Sequence, residues 1–143
     1  MGIIMGKKEK DELYVIVKAK DLCDYIFIIT DKSPKKFRFT FTSKLQNIGL
    51  NIIQNLYYAN MVYVRNSDDI KRIDKRKEYQ QEAYVQLKLL DYMAMMAREH
   101  MAILPKQYNQ ISMQAAEVIM LLIKWSRSDQ DRYNAAVKHD KQG

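Results

Sequence analysis

The apolar positions fall into four periodic stretches separated by breaks. In the first, Val15, Ala19, Leu22, Ile26 and Ile29 recur at steps of four and three, which puts them on one face of a helix running roughly from Glu9 to Thr30. Tyr25 to Ile29 alone would suit a strand, but the longer periodic frame favours helix. Asp31-Lys32-Ser33-Pro34 breaks the pattern. Ser33 can cap and Pro34 suits a first helical position, so a short helical turn is expected before Thr40 or Thr42 caps the next element. The second stretch, roughly Phe41 to Arg65, carries Phe41, Leu45, Ile48, Ile52, Leu56, Ala59 and Tyr63 as one stripe, and Asn66-Ser67-Asp68 follows as a turn. In the third, roughly Asp69 to Ala102, the residues Ala83, Leu87, Leu90, Ala94, Ala97 and Met101 form a heptad seam. A helix of that length reaches about 50 Å, so its first two turns are expected to project beyond the bundle. Pro105 opens the fourth, whose stripe Ile111, Ala115, Val118, Leu122 and Trp125 ends near Ser126.

Four helices with short connections predict an all-α, antiparallel up-down-up-down four-helix bundle. The expected division is a flexible N-terminus over 1–8, one bundle domain over 9–128 and a flexible polar tail over 129–143. The chain has 143 residues, enough for one domain to bury a core without staples, and its 4 Gly and 2 Pro leave room for long helices.

The second helix changes the picture. Leu45 to Val64 contains no charged side chain. A membrane span is one reading, but Gln46, Asn47, Asn51, Gln54, Asn55 and Asn60 are too many amides for a hydrocarbon-facing helix. A helix buried on two sides fits better, with one face in the bundle and the other, Asn47, Asn51, Gln54, Asn55, Tyr58 and Met61, against another subunit. A neutral but solvated outer face is the alternative.

Charge adds a candidate partner. The net charge is +7, with pI about 9.4, which favours a polyanion; an anionic membrane surface is the competing explanation. Three basic clusters stand out. Lys32, Lys35, Lys36, Arg38 and Lys44 are interleaved with Phe37, Phe39 and Phe41, so cations can meet phosphates and rings can stack on bases, or the rings anchor the connection into the bundle end. Lys71, Arg72, Lys75, Arg76 and Lys77 are nearly cancelled by Asp69, Asp74, Glu78 and Glu82, yet Lys71-Lys75 and Arg72-Arg76 keep a basic stripe on one face. Lys124, Arg127 and Arg132 make a third cluster, diluted by Asp129 and Asp131. Lys35, Lys36, Arg38, Lys44, Lys71, Arg72, Lys75, Arg76, Lys124 and Arg127 are therefore the candidate phosphate contacts, directed at the backbone rather than at base sequence.

Catalytic chemistry is not legible. His100 has Ala97, not Glu, three residues before it, so the paired Glu-x-x-His pattern of di-iron bundles is missing; no metal or other cofactor is expected. Asp21 and Asp24 sit beside Lys18 and Lys20 as an ordinary solvated face. No Gly-rich phosphate loop occurs. The single cysteine, Cys23, lies among apolar neighbours as a packing residue and fits a reducing, cytoplasmic setting. Met1 to Gly6 is too short for a signal peptide, and no membrane association through a span is expected.

With these elements in place the chain resembles a family of small four-helix bundle proteins related to the accessory variability determinant of diversity-generating retroelements, which includes the intervening-sequence protein of some ribosomal RNA genes. The carrying segments are Lys36-Phe37-Arg38-Phe39-Thr40-Phe41 before the amide-rich helix and Gln86-Leu87-Lys88-Leu89-Leu90 in the third. Ile103-Leu104-Pro105-Lys106-Gln107-Tyr108 and Leu121-Leu122-Ile123-Lys124-Trp125 complete them, within roughly Leu13 to Tyr133. The resemblance implies a homo-pentameric barrel of bundles and a non-catalytic accessory that binds nucleic acid and, in one branch, a reverse transcriptase. It implies Arg38, Lys44 and Lys124 as members of the binding surface. The chain departs from the pattern in its moderate basic excess and in the mixed signs from Asp69 to Glu82.

Overall fold

The computed structural model describes residues 7–64 and 70–142, and every regular element among them is helical. Helix α1 spans Lys7–Thr30, α2 Ser43–Met61, α3 Ile70–Glu99 and α4 Pro105–Gln142. Helix α1 packs on α2 and α4, and α3 packs on the same two, which closes a four-helix bundle. The stripes read from the sequence line its centre: Val15, Leu22 and Ile26 of α1, Leu45, Ile52 and Leu56 of α2, Leu87 and Leu90 of α3, and Ile111, Val118 and Leu122 of α4 are all buried in one cluster. Cys23 is buried beside them, and desolvation raises its thiol pKa, as expected of a packing residue. Gly49 sets the spacing between α1 and α2, because a Cβ there would lie 3.1 Å from Cys23 Sγ. The Asn66-Ser67-Asp68 turn lies outside the described residues.

The connection after α1 is more regular than a loop. A 3₁₀ turn over Lys35–Phe37 runs into a π-helical turn over Arg38–Thr42, which joins α2 directly. The expected side-chain caps do not form: Pro34 precedes the 3₁₀ turn without a cap, Thr42 makes no cap bond, and Thr40 Oγ1 instead donates to the Phe37 carbonyl. A continuous helical path from Arg38 onward removes the need for a cap, since the backbone N–H of Ser43 already finds the carbonyls of Arg38 and Thr40.

Three expectations at element ends are corrected. Helix α3 stops at Glu99, so Met101 leaves the seam, takes a left-handed φ of 62° and is exposed, while Ala102 and Ile103 turn back into the core. The bonds from Ala102 N to Ala97 O and from Met101 N to Arg98 O close the helix end. Tyr63 lies beyond α2 and is exposed, with Val64 buried in its place. Most consequentially, α4 does not stop near Ser126 and the chain does not become a loose tail at Asp129. The helix continues to Gln142, and its extension covers the first turns of α3, which therefore do not project alone: Ile73, Arg76 and Gln80 are buried.

The extension is held by a polar cluster. Asp129, 0% exposed, accepts from Arg76 Nη1 at 3.1 Å, Gln80 Nε2 at 2.9 Å and Arg132 Nη2 at 3.1 Å. Arg76 also donates to the Val62 carbonyl at 2.6 Å and lies over the Trp125 ring. Burial raises the Asp129 pKa above its ordinary value, and the Arg76 charge and the Gln80 bond offset only part of that rise. An acid with a raised folded pKa binds its proton more tightly folded than unfolded. Ionised Asp129 therefore weakens the fold above its folded pKa, and its contribution improves as pH falls from there toward 3.8. Removing the guanidinium with Arg76→Ala is predicted to cost about 3 kcal/mol or more at pH 7. Part of that loss returns at pH 5 as the stranded carboxyl takes up a proton, and urea unfolding at the two pH values measures both effects.

Candidate nucleic-acid interface

The structure sorts the candidate cations into different places. Arg76 is withdrawn from the set: at 3% exposure it belongs to the buried cluster, so the stripe expected through Arg72 and Arg76 does not exist. Of its neighbours Arg72 and Lys75 are exposed and Lys77 is half-buried, and all three are engaged. Arg72 donates to the Tyr63 carbonyl, Lys75 pairs with Glu78 at 3.2 Å, and Lys77 donates to Gln130 and lies over the Tyr133 ring. Lys71, Lys124 and Arg127 are exposed, the last two on α4 near the level of Trp125. Asp21 and Asp24 are exposed as well, and the Lys20–Asp24 and Lys18–Glu117 pairs make that surface an ordinary solvated face.

At the opposite end the arrangement is different. Lys32, Lys35, Lys36, Arg38 and Lys44 are all exposed on the α1–α2 connection and the first turn of α2. The Phe41 ring lies 5.4 Å from the His100 ring, so this connection sits against the α3–α4 turn. That turn adds exposed Arg98 and Lys106, which sequence reasoning missed because no cluster surrounds them along the chain. The signal was topological: the expected alternating order of four helices would put the first and third connections at one end. Against these seven cations the same segments carry Asp31 and Glu99. Among the described residues no carboxylate pairs with any of the seven; Lys36 lies over the Phe37 ring and Arg98 over Tyr108.

The three phenylalanines divide by role. Phe37 and Phe41 pack against the core and meet edge to face, with centroids 5.8 Å apart. Phe39 is 87% exposed. It forms a wall of two recesses. One, of about 570 Å³, includes Lys35, Arg38, Thr42, Ser43 and Gln46; the other, of about 340 Å³, includes Thr40, Lys44, Asn47 and Met93. His100 is exposed beside Phe41, as a surface histidine.

The outward face of α2 presents Asn47, Leu50, Asn51, Gln54, Tyr57, Tyr58 and Met61 to solvent in the single chain. Asn55 is half-buried and donates to the Asn51 carbonyl, and Tyr58 leans on Tyr79 of α3 at 5.4 Å. Among the described residues no group of three or more His, Cys, Asp or Glu could hold a metal ion, and no helix is long and apolar enough to cross a membrane.

No protein-family model matches the chain, and comparison with curated proteins finds no match.

The burial pattern predicts opposite outcomes for neighbouring rings. Phe39→Ala is expected to shift stability by no more than about 0.5 kcal/mol, and Phe41→Ala to lower it by about 2 kcal/mol or more, measured by chemical unfolding.

Proposed function

We propose that this protein is a non-catalytic, self-associating bundle whose basic end binds the phosphate backbone of nucleic acid. The observation that carries the reading is the set Lys32, Lys35, Lys36, Arg38, Lys44, Arg98 and Lys106, drawn to one end from two connections and, among the described residues, paired with no carboxylate. Such a field attracts a polyanion and releases its counterions on contact. The helices run up, down, up and down in this reading. Support comes from Gln46 meeting Thr30 while Gly49 meets Cys23, and from Lys77 meeting Gln130 while Gln80 meets Ser126: numbers rise on one helix as they fall on its neighbour.

Self-association uses the uncharged outer face of α2. Leu50, Tyr57, Tyr58 and Met61 offer apolar area between the amides of Asn47, Asn51 and Gln54, a composition suited to a subunit contact. The resemblance implies a pentameric ring, which would set five basic ends around one axis and multiply their field. In its retroelement branch it also implies a reverse transcriptase as partner, and the lone cysteine suits a reducing, cytoplasmic setting. A second reading rests on the same exposed face: it docks a polymerase directly, and the protein is then a scaffold.

Binding is predicted to weaken steeply with salt, with a slope of log K against log salt of about −3 to −4 per protomer if the four cations Lys35, Lys36, Arg38 and Lys44 each meet a phosphate. Arg38→Ala with Lys44→Ala reduces that slope by about 1.5 to 2, whereas Lys71→Ala with Lys75→Ala leaves it unchanged. A flat salt response, or equal effects of the two pairs, would count against the reading.

For the assembly, the mass in solution is predicted to be a multiple of 17.0 kDa. Leu50→Asp with Tyr57→Asp is expected to reduce it to a single chain with helical circular dichroism retained. Sedimentation at several concentrations checks this, and a wild type that sediments as one chain contradicts it.

A further inference from the structure

We propose that the basic end takes single-stranded rather than duplex nucleic acid, with Phe39 as the platform on which an unpaired base stacks. The proposal rests on the phosphate-binding reading above and deepens it. Phe39 is 87% exposed while Phe37 and Phe41, two residues to either side, pack on the core. The flanking rings hold the turn, so Phe39 is displayed by a fixed element and contributes little to the fold. The turn itself is π-helical, a geometry that recurs at functional sites.

Phe39 is shared by two recesses, the larger with two cations and the smaller with one. Lys35 and Arg38 line the larger with the hydroxyls of Thr42 and Ser43; Lys44 lines the smaller with the Asn47 amide. The volumes, about 570 and 340 Å³, fall in the range of small-ligand sites. A strand threading past the ring would set phosphates on the cations and offer base edges to the hydroxyls and amide, while a base lies on the ring. Asp31 also lines the larger recess. A carboxylate disfavours a phosphate and accepts from a base amino group, so it separates the two roles within that recess. Stacking on an aromatic platform tolerates any base, because every base has a π-face. In a duplex both faces of each internal base are already stacked, so only the cations would be used.

The test is fluorescence anisotropy on the full-length protein with a labelled oligo-dT 20-mer, a 20-base-pair duplex and vesicles containing phosphatidylserine. Wild type is expected to favour the single strand. Phe39→Ala should weaken single-strand binding about tenfold or more and duplex binding less than twofold; Phe39→Trp should preserve the preference and Phe39→Leu should not. If Phe39→Ala leaves single-strand binding intact while Arg38→Ala with Lys44→Ala weakens both oligonucleotides, the stacking proposal falls and the phosphate reading stands. If wild type binds neither oligonucleotide, both fall. Vesicle binding that depends on Phe39, with oligonucleotide binding that does not, would overturn the proposal in favour of a membrane surface.

Discussion

Four apolar stripes, none of which can leave water alone, are buried only by closing on one another. Everything else in the molecule follows from that closure. It brings the α1–α2 connection against the α3–α4 turn through Phe41 and His100, and it brings Val62, Arg76, Trp125 and Asp129 together at the far end. Neither grouping exists along the chain. Burial of the stripes thus decides which polar residues become neighbours, and the two ends receive opposite treatment.

At one end four of the cations are engaged, while Lys71, Lys124 and Arg127 stay exposed. Arg76 is desolvated against Asp129, Lys75 pairs with Glu78, and Arg72 and Lys77 donate to a carbonyl and an amide. A buried pair of this kind adds little net stability over an apolar equivalent, but it penalises any register in which either member is left alone. It holds the long extension of α4 on the start of α3. At the other end, among the described residues, no carboxylate pairs with the cations although Asp31 and Glu99 lie in the same segments, and their mutual repulsion is tolerated because they are solvated around packed phenylalanines. Unspent charge on a rigid mount is what a polyanion site requires.

The sequence was most legible where periodicity speaks. The stripes of all four helices apart from Tyr63 and Met101, the burial of Cys23 and the exposed setting of Asp21 and Asp24 follow from spacing and neighbours. It was least legible where partners are distant. Arg76 sits in a run of mixed charges that reads as surface, and its partner Asp129 is 53 residues away in a stretch that reads as tail. The same blindness ended α4 too early, since composition reports polarity and cannot report that one carboxylate among the polar residues is buried. Phe37, Phe39 and Phe41 look equivalent in sequence, and only the succession of 3₁₀ and π-helical turns assigns two to the core and one to solvent. Arg98 and Lys106 flank an unremarkable turn until the fold places it beside the first connection.

Chemical footprinting of lysines tests the central claim most directly. With oligonucleotide bound, acetylation followed by mass spectrometry should find Lys35, Lys36, Lys44 and Lys106 protected and Lys71, Lys75 and Lys124 as reactive as in the free protein. Protection centred on Lys71 and Lys75, or spread evenly over both ends, would contradict it.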